Sequence, residues 1–125
     1  MYTVAVKRDF IARHYLTGGD WGEENEQHAH HYTIEARLEG PHLDEHGYLT
    51  DICEIEAVLD ARIAYFRDKI LNELPEFEGL NPSIEHFARI LCQILAANIQ
   101  TRPLSAMAVK LWENESAWAQ FRQTF

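Results

Sequence analysis

The chain has 125 residues, and its 20 acidic side chains outnumber the 11 basic ones, giving a formal net charge of −9 at pH 7. This charge argues against DNA, RNA or an anionic membrane surface as a partner, because phosphate groups bind to basic surfaces. The length fits one domain, residues 1–125, with a single modest core. No long apolar run occurs, and the first residues, MYTVAVKRDF, lack a signal-peptide core, which predicts a cytoplasmic protein.

Two segments of alternating polarity predict two β-strands in the first third of the chain. In residues 2–14 the apolar side chains fall mostly on even positions, which predicts a half-buried strand that is broken or bulged near Arg8. A polar loop containing glycine follows. Alternation resumes from His30 to Leu38 and predicts the second strand, which ends in the turn region GPHLDEHG.

The period then changes from two to three and four, which predicts two helices. Apolar residues recur at helical spacing over residues 52–70, a helix of about five turns. A second apolar stripe runs over residues 84–95. Asn81 is the predicted cap of this second helix, with Pro82 at its first position.

The end of the chain predicts a third strand, from Ala106 to Glu113, and a short helical tail around Ala117 to Phe121. The order strand, strand, helix, helix, strand, with short strand connections, predicts an α+β fold whose antiparallel sheet carries both helices on one face. Cys53 and Cys92 lie within the helical patterns, which predicts two buried thiols in a reducing compartment rather than a disulfide.

Three histidines fall on the buried face of the predicted sheet. His28 and His30 are two positions apart on an extended chain, so their side chains point the same way. His14 ends the first strand with the same parity, and antiparallel pairing would bring all three imidazoles to one edge. This arrangement is typical of a catalytic zinc site, although hydrogen-bonded polar histidines would give the same pattern. His31 points away, and the remaining histidines are expected at the surface: His42, His46 and His86.

A carboxylate also continues a buried pattern. Glu113 has the parity of the apolar residues of the third strand, which are Met107, Val109 and Leu111. Burial of an acid costs free energy unless the acid is paired or used. Either the strand leaves the core before Glu113, or this carboxylate has a functional partner.

Five motifs in order resemble the 6-pyruvoyl-tetrahydropterin synthase and 6-carboxytetrahydropterin synthase (queuosine pathway) family, over nearly the whole chain. FIARHYL resembles the family's F-x-A-A-H-x-L, and HAHHY resembles H-G-H-x-Y. GYLTDICEIE is similar to the turn into the long helix, LNPSIEHFA to the start of the second helix, and VKLWENESAWAQF to the segment whose glutamate holds the pterin. The resemblance implies that His14, His28 and His30 bind Zn²⁺ and that Glu113 binds a pterin substrate.

The resemblance also implies an architecture. The expected structure is a tunnelling fold, in which a four-stranded antiparallel sheet carries two helices on one face. Family members assemble as trimers that stack into a homo-hexamer around an oligomeric β-barrel, with their sites between subunits.

The sequence departs from the family pattern at the proton-transfer groups. The family's base is a cysteine four residues before the first histidine of H-G-H, and Glu24 occupies that place here, between Glu23 and Asn25. Members with glutamate at this place are associated with cleaving the side chain of dihydroneopterin, which makes Glu24 the candidate base. The other interpretation of EENEQ is a solvated acidic loop.

The family's Asp-His pair, in L-D-H-x-x-L-N, should fall at FRDKILN. Gapless counting places Arg67 at the aspartate and Asp68 at the histidine. A shift of one residue would keep Asp68 as the aspartate and place Lys69 at the histidine. The histidine is lost in both registers, and Asp68 is the candidate second catalytic group. In addition, Asn114 replaces the threonine that follows the pterin-binding glutamate.

Two functions follow from these matches and departures. The first is a zinc-dependent pterin-processing lyase or synthase that acts on a dihydroneopterin-type substrate with altered acid–base residues. The second is a non-catalytic paralogue that binds zinc and a pterin.

Overall fold

We describe the protein from a computed structural model that covers residues 1–125. Four antiparallel strands form one sheet in the order β1-β2-β3-β4, and two α-helices connect β2 to β3. Phe87 of the second helix packs on Phe10 and Tyr32, whose side chains lie on the same face of the sheet. The predicted α+β class is confirmed. The elements are β1 (Tyr2–His14), β2 (His28–Gly40), α1 (Ile52–Phe66), α2 (Ile84–Ala97), β3 (Ala106–Trp112) and β4 (Trp118–Thr124).

The first strand is continuous, so the predicted break or bulge near Arg8 was wrong. Arg8 pairs with Ile34 in an uninterrupted ladder that runs from Tyr2 to His14. The side chain of Arg8 lies on the helix-covered face of the sheet. Its guanidinium reaches α1, where it donates to Glu56 at 2.6 Å and to Asp60 at 2.9 Å. A charged side chain with two carboxylate partners can therefore occupy a position on the apolar face of a strand without disturbing the strand.

The predicted helical tail was also wrong, because residues 118–124 form β4. This strand pairs with β3 from Trp112↔Trp118 to Ala106↔Thr124. Its side chains alternate between exposed and half-buried positions, the periodicity of a strand on the rim of a sheet. The result is the four-stranded sheet that the family resemblance implied.

Helix α1 is shorter than its apolar stripe suggested, and α2 begins two residues later than its predicted cap implied. Helix α1 ends at Phe66, because Asp68 has a φ of 62° and the left-handed conformation cannot continue a right-handed helix. Helix α2 begins at Ile84, and its N-cap is Ser83, whose hydroxyl accepts from the backbone N–H of His86. The prediction of Asn81 as the cap was wrong, since its side chain binds another loop.

The core is one cluster of 25 buried residues between the sheet and the two helices. Cys92 belongs to it, and burial raises the pKa of its thiol to about 11. The prediction for Cys53 was wrong, because this residue lies in the exposed first turn of α1; neither cysteine forms a disulfide. Neither α1 nor α2 has the length and apolar composition needed to cross a lipid bilayer.

Candidate active site

The pairing of β1 with β2 determines where the three predicted histidines meet. His14 lies opposite His28, and Ala12 lies opposite His30, so all three imidazoles share one end of the helix-covered face. The Nε2 atom of His28 is 2.9 Å from Nε2 of His14 and 3.1 Å from Nε2 of His30. The structure therefore brings the three side chains together around a common point.

Hydrogen bonds on the far side of two rings determine their tautomers. His14 Nδ1 lies 2.9 Å from the carbonyl oxygen of Pro82, and His28 Nδ1 lies 2.7 Å from that of Glu26. A carbonyl can only accept, so Nδ1 carries the proton in both rings and each neutral imidazole presents a lone pair at Nε2. Two lone pairs 2.9 Å apart repel each other unless a cation lies between them. The arrangement fits a metal ion, and backbone carbonyls commonly orient histidine ligands in this way.

Glu24 adds an oxygen atom to the cluster. One carboxylate oxygen lies 2.7 Å from Nε2 of His28 and 4.0 Å from Nε2 of His30. This oxygen and the three ring nitrogens all lie within 4.8 Å of one another. Three imidazoles are a donor set that suits a tetrahedral zinc ion whose fourth position is open, and the Glu24 oxygen lies beside them.

Glu24 occupies this place because of a short 3₁₀ helix in the β1–β2 connection. The helix spans Gly22–Asn25, and the Glu24 carbonyl accepts from the backbone N–H of Leu16. The Asn25 amide donates to the carbonyls of Leu16 and Gly19 and accepts from the N–H of Trp21. One asparagine therefore ties together the loop that carries the acid.

Burial keeps His14 in the form that a metal requires. Its side chain is only 2% exposed, and burial lowers its pKa to about 4, so the ring is neutral at pH 7. Metal ligation requires the neutral imidazole. The hydroxyl oxygen of Tyr32 lies 3.4 Å from His14 Nδ1. Burial, reinforced by the charges of Glu113 and Glu24, raises the pKa of Tyr32, so its phenol stays protonated at neutral pH.

Glu113 lies just after the end of β3 and turns toward the histidines. The strand ends at Trp112, and a carboxylate oxygen of Glu113 is 4.0 Å from Nε2 of His30, with 29% of the side chain exposed. The strand therefore ends before Glu113, as one of the two interpretations predicted, and a functional role for the carboxylate stays a prediction. A cleft of about 640 Å³ extends from this point, and it is lined by Lys7, Ala29, His30, His31, Thr33, Trp112, Glu113, Asn114 and Glu115.

Asp68 lies apart from this cluster. It follows the end of α1, and its backbone N–H donates to the carbonyl of Ile11, which holds the turn against the edge of β1. The residue is exposed, and its carboxylate makes no hydrogen bond or ion pair with the three histidines or Glu24. Neighbouring Lys69 donates to the carbonyl of Tyr65. The structure thus brings together all the predicted site residues except Asp68.

The other histidines lie outside the cluster. His31 points to the uncovered face, where it lies 3.1 Å from the Asp9 carboxylate. His42 and His46 are exposed, and His86 is half-buried with Nδ1 2.8 Å from the carbonyl of Asn81.

Sequence reasoning missed three groups at this site: the carbonyls of Pro82 and Glu26 and the hydroxyl of Tyr32. Backbone carbonyls leave no signal in a residue pattern. Tyr32 continues the parity of His28 and His30, and this shared parity could have identified it.

Comparison with known proteins agrees with this geometry. The model of the family described as 6-pyruvoyl tetrahydropterin synthase matches residues 3–124. A protein from Archaeoglobus fulgidus, provisionally named a 6-carboxy-5,6,7,8-tetrahydropterin synthase, is 23% identical over 120 residues, which cover 96% of this chain and 95% of the relative.

Two solved structures share the fold. A catalytic-residue mutant of Plasmodium vivax 6-pyruvoyltetrahydropterin synthase, in which a glutamate is replaced by alanine, superposes with a TM-score of 0.83 at 16% identity, covering 99% of this chain and 98% of the other. The Caenorhabditis elegans 6-pyruvoyl tetrahydropterin synthase gives 0.82 at 17% identity, with the same coverage. The match over residues 3–124 establishes that the chain belongs to the 6-pyruvoyl tetrahydropterin synthase family.

Proposed function

We propose that the protein is a zinc-dependent enzyme that cleaves the side chain of a dihydroneopterin-type substrate. Family membership supports pterin synthase or lyase chemistry in general. The observation that carries the narrower proposal is the convergence of three imidazole Nε2 atoms and two carboxylates, Glu24 and Glu113, at one end of the sheet.

His14, His28 and His30 would hold the zinc ion. Bound there, zinc would act as a Lewis acid that polarises the side-chain hydroxyls of the substrate. The Nδ1–H groups of His14 and His28 donate to backbone carbonyls, which fixes both ring orientations before any metal binds. The protein therefore supplies a preorganised ligand set.

Glu113 would hold the pterin ring. The edge of a pterin carries an amino group beside a ring N–H, and a carboxylate accepts two parallel hydrogen bonds from such a pair. The distance of 4.0 Å between its carboxylate and His30 Nε2 supports this role, because a ring held by Glu113 would lie beside the proposed metal ligands. A substrate anchored there has its side chain within reach of the metal.

Glu24 would act as the general base. Its carboxylate oxygen lies beside the ring nitrogens that surround the metal position, so it can take a proton from a side-chain hydroxyl held there. A catalytic glutamate is named in the related Plasmodium vivax enzyme, which supports this role for a carboxylate. Loss of the proton from the second side-chain hydroxyl would let the bond between the first and second side-chain carbons break, which releases the distal carbons as an aldehyde. The electron pair stays on the carbon attached to the pterin, and return of the proton from Glu24 to this carbon would leave a hydroxymethyl pterin.

Asp68 as the second proton-transfer group stays a prediction. Its exposed position beside Ile11 gives it no contact with the zinc cluster in one chain. The absence of a histidine partner supports the second candidate function, a non-catalytic paralogue that binds zinc and a pterin.

The decisive experiment is incubation of the zinc-loaded protein with dihydroneopterin and, separately, with dihydroneopterin triphosphate, followed by product analysis. The proposed enzyme yields a hydroxymethyl pterin and little or no pyruvoyl product. Binding of either pterin without turnover would establish the non-catalytic alternative. Synthesis of 6-carboxytetrahydropterin at ordinary rates would contradict both proposals.

We also propose that the protein forms a homo-hexamer built from two trimers. The sheet is open, and β4 is an edge strand with exposed backbone along residues 118–124. Unpaired strand edges favour association with another strand. Large apolar side chains are exposed near both edges, including Tyr2, Trp118 and Phe125. Light scattering should give a mass of three or six chains, and a monomer of 14.5 kDa would refute the assembly.

A further inference from the structure

Asn114 stands where the family has threonine, directly after Glu113 in the turn between β3 and β4. Its Oδ1 accepts from the backbone N–H of Ser116 at 2.8 Å and from that of Ala117 at 2.9 Å. Backbone N–H groups only donate, so these two bonds fix which end of the amide is the oxygen. The Nδ2 group must therefore lie on the side of the amide that faces away from the turn.

The amide nitrogen of Asn114, an exposed residue, is free to donate a hydrogen bond. Both hydrogen bonds of the Asn114 side chain use its oxygen, and its Nδ2 has no acceptor within the chain. Asn114 lines the same cleft as Glu113 and His30. A donor that is held by its own turn and left unused beside a carboxylate can bind a ligand without a large cost of reordering.

We propose that Asn114 is a specificity-determining residue that donates a hydrogen bond to the ring carbonyl of a bound pterin. This inference rests on the proposed role of Glu113 as the anchor of the ring. The edge of a pterin presents an amino group, a ring N–H and a carbonyl oxygen in that order, which is donor, donor and acceptor. Glu113 supplies two acceptors for the first pair, and Asn114 supplies the donor for the third.

The substitution of the family's threonine has a chemical consequence. A hydroxyl group can donate or accept, so threonine tolerates either a carbonyl or an amino group at this position of the ring. The Nδ2 of Asn114 can only donate. The site therefore selects rings that carry a carbonyl beside the ring N–H and rejects rings that carry a donor there.

The aspartate variant Asn114→Asp provides a matched test. Its carboxylate has the same shape, and one oxygen can still accept from Ser116 and Ala117, so the turn is kept while the donor is lost. The probes are unsubstituted pterin and its analogue with sulfur in place of the carbonyl oxygen. Both retain the amino group and ring N–H that Glu113 would bind, and neither has a side chain to reach a metal. Pterin fluorescence gives the Kd of each, and thermal melting verifies the fold.

The wild type should bind pterin roughly tenfold more tightly than the sulfur analogue, because sulfur is a weak acceptor. In Asn114→Asp the ratio of the two Kd values should fall to about one, since no donor remains to distinguish them. Because the ratio is taken within one variant, effects that are common to both probes cancel, and repulsion between the new carboxylate and the carbonyl oxygen can only lower the preference for pterin further. An unchanged ratio in a folded Asn114→Asp protein would overturn the inference.

The variant Glu113→Gln separates this inference from the proposed function. If Glu113 anchors the ring, Glu113→Gln should weaken the binding of both probes by a similar factor, roughly tenfold or more. Unaltered binding in Glu113→Gln, or no pterin binding by the wild type, would instead count against the anchor and with it against the role of Asn114.

Discussion

The metal-holding half and the proton-transfer half of the candidate site are built in different ways. His14, His28 and His30 extend from two paired strands, and backbone carbonyls orient two of their rings. Glu24 instead lies on a connection outside the sheet, in a single turn of 3₁₀ helix. Asp68 lies on a separate turn beyond α1. The position of the candidate metal site thus follows from the ladder of the sheet, whereas the positions of the candidate acid–base groups depend on loops.

This difference explains how a family can alter its chemistry while it keeps its fold. Replacement of a ligand on β2 changes a residue whose position the whole β1–β2 register fixes. Replacement of a loop residue leaves that register intact, because no ladder pair depends on it. We therefore expect metal binding and proton transfer to respond separately to substitution.

The largest effect should come from His28→Ala, which removes the imidazole at the centre of the cluster. Its Nε2 is within 3.1 Å of both other ring nitrogens, so its loss leaves two ligands on opposite sides of a gap. Affinity for zinc should fall by more than about a hundredfold, which is the upper range for loss of a group that only supports a ligand. Metal analysis after mild purification should drop from near one zinc per chain to near none.

The matched control for this change is His31→Ala, three residues further along β2 and on the opposite face of the sheet. His31 lies against Asp9 and away from the cluster, so its removal should leave zinc content unchanged. Equal loss of zinc in both variants would indicate a disturbed strand rather than a lost ligand.

A more selective effect is expected from Glu24→Gln, which should abolish proton transfer but retain the metal. A general base typically contributes a factor of about 10² to 10⁴ in rate, and glutamine cannot accept the proton. Turnover of dihydroneopterin should fall within this range while zinc stays near one per chain. Glu23→Gln, the neighbouring acid in the same 3₁₀ helix, should keep most of the activity. Full activity in both variants would place the base elsewhere.

The sequence was sufficient for the periodic parts of the molecule. Alternating polarity located β1, apart from Arg8, and predicted that His14 and His28 share one face, because side-chain direction in a strand follows parity. The helical stripes located α1 and α2. The predicted α1 extended past Phe66, because apolar residues continue at helical spacing beyond the last turn of the helix. The left-handed residue that ends the helix, Asp68, is not a glycine and gives no sequence signal.

The features of the structure that the sequence did not predict depend on contacts between segments that are distant along the chain. Arg8 resembled a strand break because its partners, Glu56 and Asp60, lie about fifty residues away on α1. Residues 118–124 resembled a helical tail because a short half-buried segment has no clear period until its pairing partner is known. The carbonyl of Pro82, which orients His14, belongs to the same category.

A pH-dependent effect on stability should come from His14 in the metal-free protein. Burial lowers the pKa of this ring from 6.5 to about 4, so between these values the unfolded chain binds a proton that the folded chain does not. Stability therefore falls as the pH decreases from about 6.5 toward 4, and it is unaffected by this group above 6.5. The free energy of unfolding can be measured with urea at several pH values on chelator-treated protein. It should depend less steeply on pH for His14→Gln than for His31→Gln. Identical slopes would contradict the pKa shift.

The smallest effect should come from Asn25→Ala, which tests whether the loop merely carries Glu24 or also positions it. The Asn25 amide bonds to Leu16, Gly19 and Trp21, and no atom of it contacts a histidine of the cluster. Its loss should leave zinc content unchanged and KM nearly so, while kcat falls by about tenfold, since a displaced base lowers the rate of the chemical step without changing how the ring is bound. Asn98→Ala, at the C-cap of α2, removes an asparagine of similar structural importance far from the loop and should leave kcat unaltered. If both variants lower kcat equally, the loss reflects general destabilisation, and Asn25 has no particular role in placing the acid.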